Sequence, residues 1–284
     1  MSRDLTPGTV NLALREATTA LAQTSDTPRL DAELLMAHAL GVPRSELLLR
    51  HMADPAPAAF APLLARRQNH EPVAYILGSQ QFYGLDFLVT PDVLIPRGDS
   101  EVLVEAALKA RPDARRVLDC GTGSGALLLA VLAQLAQAQG IGIDRSLAAL
   151  EVAAANAARL GLGARARMLH VDWGDEGWAR DLGGPFDLIL ANPPYVEVDA
   201  DLSSSVRDHE PAGALFAGPE GLDAYRVLLP QLSALLAPMG VALVEIGAAL
   251  AAPVSAIAQA AGLAATLHHD LASRPRALEL VHSR

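Results

Sequence analysis

Cysteine is nearly missing from this sequence. Cys120 is the only one among 284 residues, which excludes an internal disulfide and a cysteine-rich metal centre and fits a reducing compartment. It reads as a small buried residue at a strand end. Lysine also occurs once, at Lys109, and no basic cluster interrupts a formal net charge of -10. The uniform phosphate attraction behind nonspecific nucleic-acid binding is therefore lacking, and no direct nucleic-acid partner is expected. No apolar stretch follows a basic start in the first thirty residues, where Asp4, Glu16 and Asp26 stand. No signal peptide is read there, and the chain is expected in the cytoplasm. Nor is there a run suited to a membrane span: the most apolar window, near 246–265, is punctuated by Pro253, Gln259 and Gly262. Repeats and low-complexity tracts are absent too.

What is present describes a well-buried protein, with 51% hydrophobic and 19% charged residues, long enough for two units. Residues 9–78 place apolar side chains at helical spacing, as in Leu30, Leu34, Leu35, Ala37, Ala39 and Leu40. Pro28, Gly41-Val42-Pro43 and the Pro/Ala stretch 55–62 interrupt them. This predicts an N-terminal helical unit over 1–78, whose seven arginines and eight acids through Glu71 suit a protein-docking surface. Gln80 to Val93, with Phe82, Tyr83, Phe87 and Val89 around Gly84, predicts a linking β-hairpin within 79–95. From residue 96 to 284 the pattern alternates. Helices are expected near 99–110, 124–137, 146–160, 221–236 and 250–261. Strands are expected at 116–120, 140–144, 166–171, 186–191, 240–246, 263–269 and 276–282. Such a βαβ series builds a parallel sheet whose ligands lie beyond the carboxyl ends of its strands.

Two such strand ends carry candidate binding residues. Val117-Leu118-Asp119-Cys120 runs into Gly121-Thr122-Gly123-Ser124-Gly125, where glycines permit close backbone approach and a helix start offers amide donors. Gly121, Gly123 and Ala126 also satisfy a dinucleotide fingerprint, so a nicotinamide enzyme stays open. Asp144 ends the next strand, where a carboxylate accepts ribose hydroxyls in nicotinamide and S-adenosylmethionine pockets alike, or else caps the following helix. Asp172 and Trp173 follow the third strand and suit an adenine amino group and ring face.

The deciding string is Asn192-Pro193-Pro194-Tyr195, which closes the apolar strand Phe186–Ala191. One reading is a rigid turn in which two prolines stop a strand. The other is chemical: an amide or aryl-amine nitrogen is a poor nucleophile because its lone pair is delocalised. The Asn192 side-chain oxygen and the Pro193 carbonyl can accept its two hydrogens and favour pyramidalisation. Tyr195 can stack on the flat group, so that positioning supplies most of the acceleration and no general base is needed at the start. No metal is expected.

With these residues goes a wider set: Pro72 to Gly78, Phe82 to Phe87, Val93 to Arg97, Glu210-Pro211, Gly221-Leu222-Asp223 and Asp270-Leu271-Ala272. Together they make the chain resemble, over nearly its full length, the HemK/PrmC family of peptide chain release factor glutamine methyltransferases. The resemblance implies an α/β, class I S-adenosylmethionine-dependent methyltransferase fold, a mostly parallel seven-stranded sheet with its last strand antiparallel. It implies methyl transfer from S-adenosylmethionine to N5 of the glutamine in the Gly-Gly-Gln motif of class 1 release factors. Gly121, Thr122, Gly123, Ser124, Gly125, Asp144, Asp172, Trp173 and Asn192 would bind the donor, Asn192 to Tyr195 the glutamine, and the helical unit the release factor. A monomer is expected. Departures are Gly98-Asp99-Ser100-Glu101 after Pro96-Arg97, where Pro-Asp-Thr-Glu is usual, and Arg274-Pro275-Arg276 in place of a Gly-Arg-Asp-Arg-like ending. Gly98 would loosen the edge of the pocket, and Asp99 or Ser100 would cap the next helix. His209 stands where tyrosine is common, and no glutamine follows Glu245-Ile246-Gly247. The rivals are a ribosomal-protein glutamine methyltransferase, an adenine-N6 nucleic-acid methyltransferase and a nonenzymatic S-adenosylmethionine sensor.

Overall fold

The computed structural model describes residues 8–283; Asp4, part of the reasoning about a leader, lies outside them. Along the chain run α1 (Val10–Leu21), α2 (Pro28–Leu40), α3 (Arg44–Arg50), α4 (Phe60–Gln68), α5 (Val73–Leu77), β1 (Ser79–Phe82) and β2 (Leu85–Leu88). Then come α6 (Glu101–Ala110), β3 (Arg116–Cys120), α7 (Ala126–Gln134), β4 (Gln139–Asp144), α8 (Leu147–Arg159), β5 (Ala166–His170) and β6 (Phe186–Ala191). The rest are α9 (Ser204–Arg207), α10 (Asp223–Leu235), β7 (Leu236–Glu245), α11 (Ala251–Ala260), β8 (Leu263–His269) and β9 (Pro275–His282). They form two compact units: one up to Gly78 together with Leu202–His209, the other Ser79–Asp201 with Glu210–Arg284. The hairpin thus groups with the larger unit.

In the smaller unit Val10, Leu14, Leu21, Leu35, Met36, Leu47, Phe60 and Ile76 form the core. Thr9 caps α1 by accepting the Leu12 amide, and Gly41 ends α2 in the left-handed conformation. The face of α2 differs from the one its leucines predict: Leu30 is exposed, whereas Asp31 and Glu33 are buried. Pairing explains it, since a buried carboxylate survives only with partners. Asp31 accepts the Ser25 hydroxyl at 2.7 Å, the Thr27 hydroxyl at 2.9 Å and Arg67 Nε at 2.7 Å. Glu33 takes Arg29 Nε at 2.5 Å and Arg44 Nε at 2.7 Å. Two of the acids counted toward the docking surface are therefore interior. In the same unit His209, which received no role, sets Nε2 3.1 Å from the Asn69 carbonyl.

The larger unit carries a seven-stranded sheet in the order β5-β4-β3-β6-β7-β9-β8. Only β9 opposes its neighbours; β3 to β7 are mutually parallel. Hydrophobic layers cover both faces, one built with α6 and α7, the other with α10 and α11. Strands β3 and β6 have the bounds expected of short apolar runs, but β7 begins four residues earlier than its punctuation indicates. Leu236 pairs with Phe186 across a register shift, and a bulge there tolerates Pro238 within the strand. Tyr83 and Gly84, both with positive φ, make the tight turn between β1 and β2. Cys120 is buried at its strand end.

Candidate functional site

Because β3 to β6 run parallel, Cys120, Asp144, His170 and Ala191 end on one edge of the sheet. A cavity of about 480 Å³ opens there, lined by Gly121 to Ser124, Asp144, Asp172, Trp173, Asn192 and Pro194. That is the size of a small-molecule site, roughly 300–1,000 Å³. Three of the expected residues do not line it. Gly125 is the left-handed cap from which α7 starts, and Pro193 is buried. Tyr195 lines a second, shallower hollow of about 330 Å³ with Val196, Glu197, Ala200 and Gly247 to Leu250.

Most amides of the glycine loop itself are engaged, which confines free donors to Ser124 and the helix start. Gly121 and Thr122 both donate to the Ile143 carbonyl at 2.9 Å, and Gly125 donates to the Thr122 carbonyl at 2.8 Å. Gly123 donates to Asp144 Oδ2 at 3.0 Å. Asp144 Oδ1 takes the Ser146 amide at 2.9 Å, while Ser146, not Asp144, caps α8. Four of the five loop amides are thereby committed, leaving Ser124 and the start of α7, whereas a pyrophosphate requires several unengaged amides, so the loop lends the nicotinamide reading less support. The loop's glycines serve close packing instead: a Cβ on Gly121, at φ +75°, would sit 2.9 Å from Trp173 Cη2. The Asp172 carboxylate closes a local turn by accepting the Gly174 amide at 2.8 Å.

Two parts of the site escaped the sequence reading. The first is Asp119, buried beneath the loop, whose Oδ2 accepts the Thr122 hydroxyl at 2.6 Å while Oδ1 has no bond of normal geometry among the described residues, although the Leu128 amide lies near enough to lower its carboxyl. Burial pushes its carboxyl up to about 7, with the Thr122 bond opposing the rise and the Asp144 charge adding to it. Between about pH 4 and about pH 7 the folded chain then keeps a proton that the unfolded chain has lost. Stability present at the acid end is lost as pH climbs through about 7. Asp119→Asn is expected to melt above wild type in scanning fluorimetry without donor, by a margin that widens from about pH 5 to about pH 8. A margin independent of pH would contradict this assignment.

The second is the far wall of the cavity, made by Val93, Leu94, Pro96 and Arg97 and by residues between Pro211 and Gly218. Buried Glu210 ties the two segments, accepting the Ile95 amide at 3.2 Å and the Arg97 guanidinium. Arg145 Nη2 adds a bond to the Gly213 carbonyl at 3.1 Å. Both strings stood out in the sequence, but nothing local announced that they meet.

The clamp follows from the sheet. Strand β6 lies between β3 and β7, with Ala191 opposite Cys120 on one side and Val244 on the other. Asn192 therefore leaves the sheet beside the glycine loop. Among the described residues, neither its carboxamide nor the Pro193 carbonyl takes a hydrogen bond from another group. The chain beyond is pinned where a Cβ on Gly221, at φ +67°, would meet the Tyr195 carbonyl at 2.3 Å. The unusual ends also find their reason. Asp99 caps nothing; it receives Arg274 and Arg276, each at 2.9 Å, and Asp270 holds Arg274 Nε at 2.8 Å. Ser100 is the N-cap residue of α6 without a side-chain cap bond, and Gly98 opens a single 3-10 turn.

Among the described residues no group of three or more His, Cys, Asp or Glu could hold a metal, and no helix is long and apolar enough to cross a membrane. The cavity does fit a nucleoside-linked cation. It offers carboxylates at Asp144 and Asp172 and an indole at Trp173.

Residues 13–78 match the family described as PrmC N-terminal domain, and residues 112–256 one described as methyltransferase domain. A release factor glutamine methyltransferase of Caulobacter vibrioides is 44% identical over 245 residues, 84% of this chain and 83% of its own length. Another, from Cereibacter sphaeroides, is 44% identical over 272 residues, 93% of this chain and 95% of its own. Among solved structures, an O-methyltransferase family protein from Burkholderia thailandensis superposes with a TM-score of 0.52 at 16% identity, covering 93% of this chain and 98% of that one. At that identity the likeness concerns the fold.

Proposed function

We infer the reaction from one premise: the chain belongs to the family of release factor glutamine methyltransferases. It transfers the methyl group of S-adenosylmethionine to the side-chain amide nitrogen, N5, of the glutamine in the Gly-Gly-Gln motif of class 1 peptide chain release factors. It acts in the cytoplasm as a monomer, with release factors as its protein partners.

S-adenosylmethionine supplies an electrophilic methyl carbon on a sulfonium. Gly121 to Gly125 shape its bed, and Asp144, already aimed by the Gly123 and Ser146 amides, accepts its ribose hydroxyls with the remaining lone pairs. Asp172 and Trp173 hold the adenine. Asn192 Oδ1 and the Pro193 carbonyl accept the two amide hydrogens of the glutamine, drawing its lone pair out of conjugation. Pro193 and Pro194 keep those acceptors rigid. Tyr195 flanks the amide from its own hollow; the nitrogen–methyl bond forms as the methyl–sulfur bond breaks to leave S-adenosylhomocysteine, and the proton passes to water once the nitrogen carries the new methyl.

The observation that carries this reading is the Asn192 to Tyr195 segment at the sheet edge, contributing Asn192 and Pro194 to one hollow and Tyr195 to the other. A sensor needs only the first hollow, and an adenine-N6 enzyme would need a basic groove. The direct test is mass spectrometry of purified release factor incubated with enzyme and donor. One added methyl on the Gly-Gly-Gln glutamine is expected, and an unmodified glutamine would sink the proposal.

Asp144→Ala is expected to weaken donor binding about ten- to a hundredfold, the span of a lost hydrogen bond to a charged group. Calorimetric titration with S-adenosylhomocysteine measures it; unchanged affinity would remove Asp144 from the donor site.

A further inference from the structure

We propose that Glu245 is a positioning residue for the clamp, its buried side chain receiving the Tyr195 hydroxyl and thereby setting the rotation of the ring that flanks the glutamine amide. The proposal rests on the reading of Tyr195 given above and assigns it a partner on the neighbouring strand.

The geometry comes from the sheet. Val244 stands opposite Ala191, so Glu245 and Asn192 each lie one step further along adjacent parallel strands. Glu245 is 2% exposed, and its backbone is fixed from α10 by the Tyr225 hydroxyl, which donates to the Glu245 carbonyl at 2.8 Å. The Tyr195 hydroxyl donates to Glu245 Oε1 at 3.4 Å, while Oε2 has no hydrogen bond of normal geometry among the described residues. The other end of the ring has little freedom, because a Cβ on Gly247 would already stand 3.2 Å from Tyr195 Cδ2. A buried carboxyl with one unpaired oxygen is unfavourable for folding, where a leucine of similar size would carry no such penalty. The group therefore calls for a role, and the Tyr195 bond supplies one. A bond of 3.4 Å also has room to tighten as substrate seats, as catalytic contacts commonly do.

The neighbours decide how the contact responds to pH. Tyr195 and Tyr225 face Glu245, as do the Arg276 guanidinium from β9, the Asp99 carboxylate and the Ser100 hydroxyl, which lies near enough to lower its carboxyl although it closes no bond of normal geometry. Burial pushes Glu245 up to about 7, against the lowering effects of Ser100, Arg276 and Tyr195. Burial, with the Glu245 charge, pushes Tyr195 up to about 12, so its hydroxyl keeps its proton. As pH rises through about 7, Glu245 ionises and becomes a stronger, charge-assisted acceptor for that hydroxyl.

The test is a double-mutant cycle in the full-length chain, with a short Gly-Gly-Gln peptide as methyl acceptor so that docking does not enter. Tyr195→Phe and Glu245→Leu are each expected to lower kcat about three- to tenfold, the value of a net hydrogen bond, with the KM for donor unchanged. The double variant is expected to be no slower than the slower single one. Glu245→Gln keeps an acceptor of the same shape; it should retain most of the rate and lose the rise in kcat through about pH 7 seen in wild type. Multiplying losses in the double variant, or a pH step that persists in Glu245→Gln, would overturn the pairing. If the wild-type chain leaves both the peptide and intact release factor unmethylated, the proposed reaction fails; if the peptide alone is unmethylated, the cycle is run on release factor, and in either case melting temperatures decide the contact independently. Non-additive midpoints for Tyr195→Phe and Glu245→Gln would uphold the contact, and additive ones would sink it.

Discussion

Asn192→Ala is expected to lower kcat for glutamine methylation by about 10²–10³-fold, the scale of losing one preorganised polar group at a transition state. Two features of the site support so large a value. The carboxamide has no other partner among the described residues, so its oxygen is available to an incoming amide at no loss of an internal bond. Its backbone is set by β6, paired on both sides up to Ala191, and by the proline that follows, so the acceptor arrives oriented. Truncating it removes polarisation of the nitrogen lone pair and leaves the fold's core alone. The measurement is single-turnover methylation of a release factor, with the melting temperature recorded alongside. A variant within about threefold of wild type would mean that the clamp is only a turn.

Arg67→Met is expected to destabilise the smaller unit by about 3–5 kcal/mol, because it breaks a buried ion pair from one side. The Arg67 and Asp31 side chains are 9% and 8% exposed. Methionine replaces the stem but leaves the carboxylate with only the Ser25 and Thr27 hydroxyls. A domain of that size loses roughly 4–8 °C in Tm per kcal/mol, so an early transition should separate from the main one in calorimetry. The variant also tests the docking role proposed for this unit. Warmed between the two transitions, it should lose methylation of intact release factor while still modifying a short Gly-Gly-Gln peptide. Equal losses on both substrates would mean that the helices serve only as a cap.

Much of this was legible in the residues. Strands β3 and β6 are apolar runs with abrupt ends, and the period change after Pro96 marks the alternating unit. Gly121 to Ser124, Asp144, Asp172, Trp173 and Asn192 all lie at or just past strand ends, where a parallel sheet opens its ligand site. Local misreadings had distant causes: Leu30 and Asp31 exchanged places because the partner that permits burial of Asp31 sits 36 residues away. The amides of the glycine loop looked free because the Ile143 carbonyl that takes two of them belongs to the next strand.

By itself the sequence determined what short-range periodicity and covalent stiffness control: the order of helices and strands, the turn glycines and the rigid Asn192 to Tyr195 string. Only the tertiary structure decided which distant groups share a low-dielectric interior. There Glu210 joins two walls, Asp119 lies beneath the loop and Glu245 meets Tyr195. The reason is physical: burial and long-range pairing depend on how the layers pack, and a carboxylate in the chain carries no local mark of whether water or another side chain will surround it.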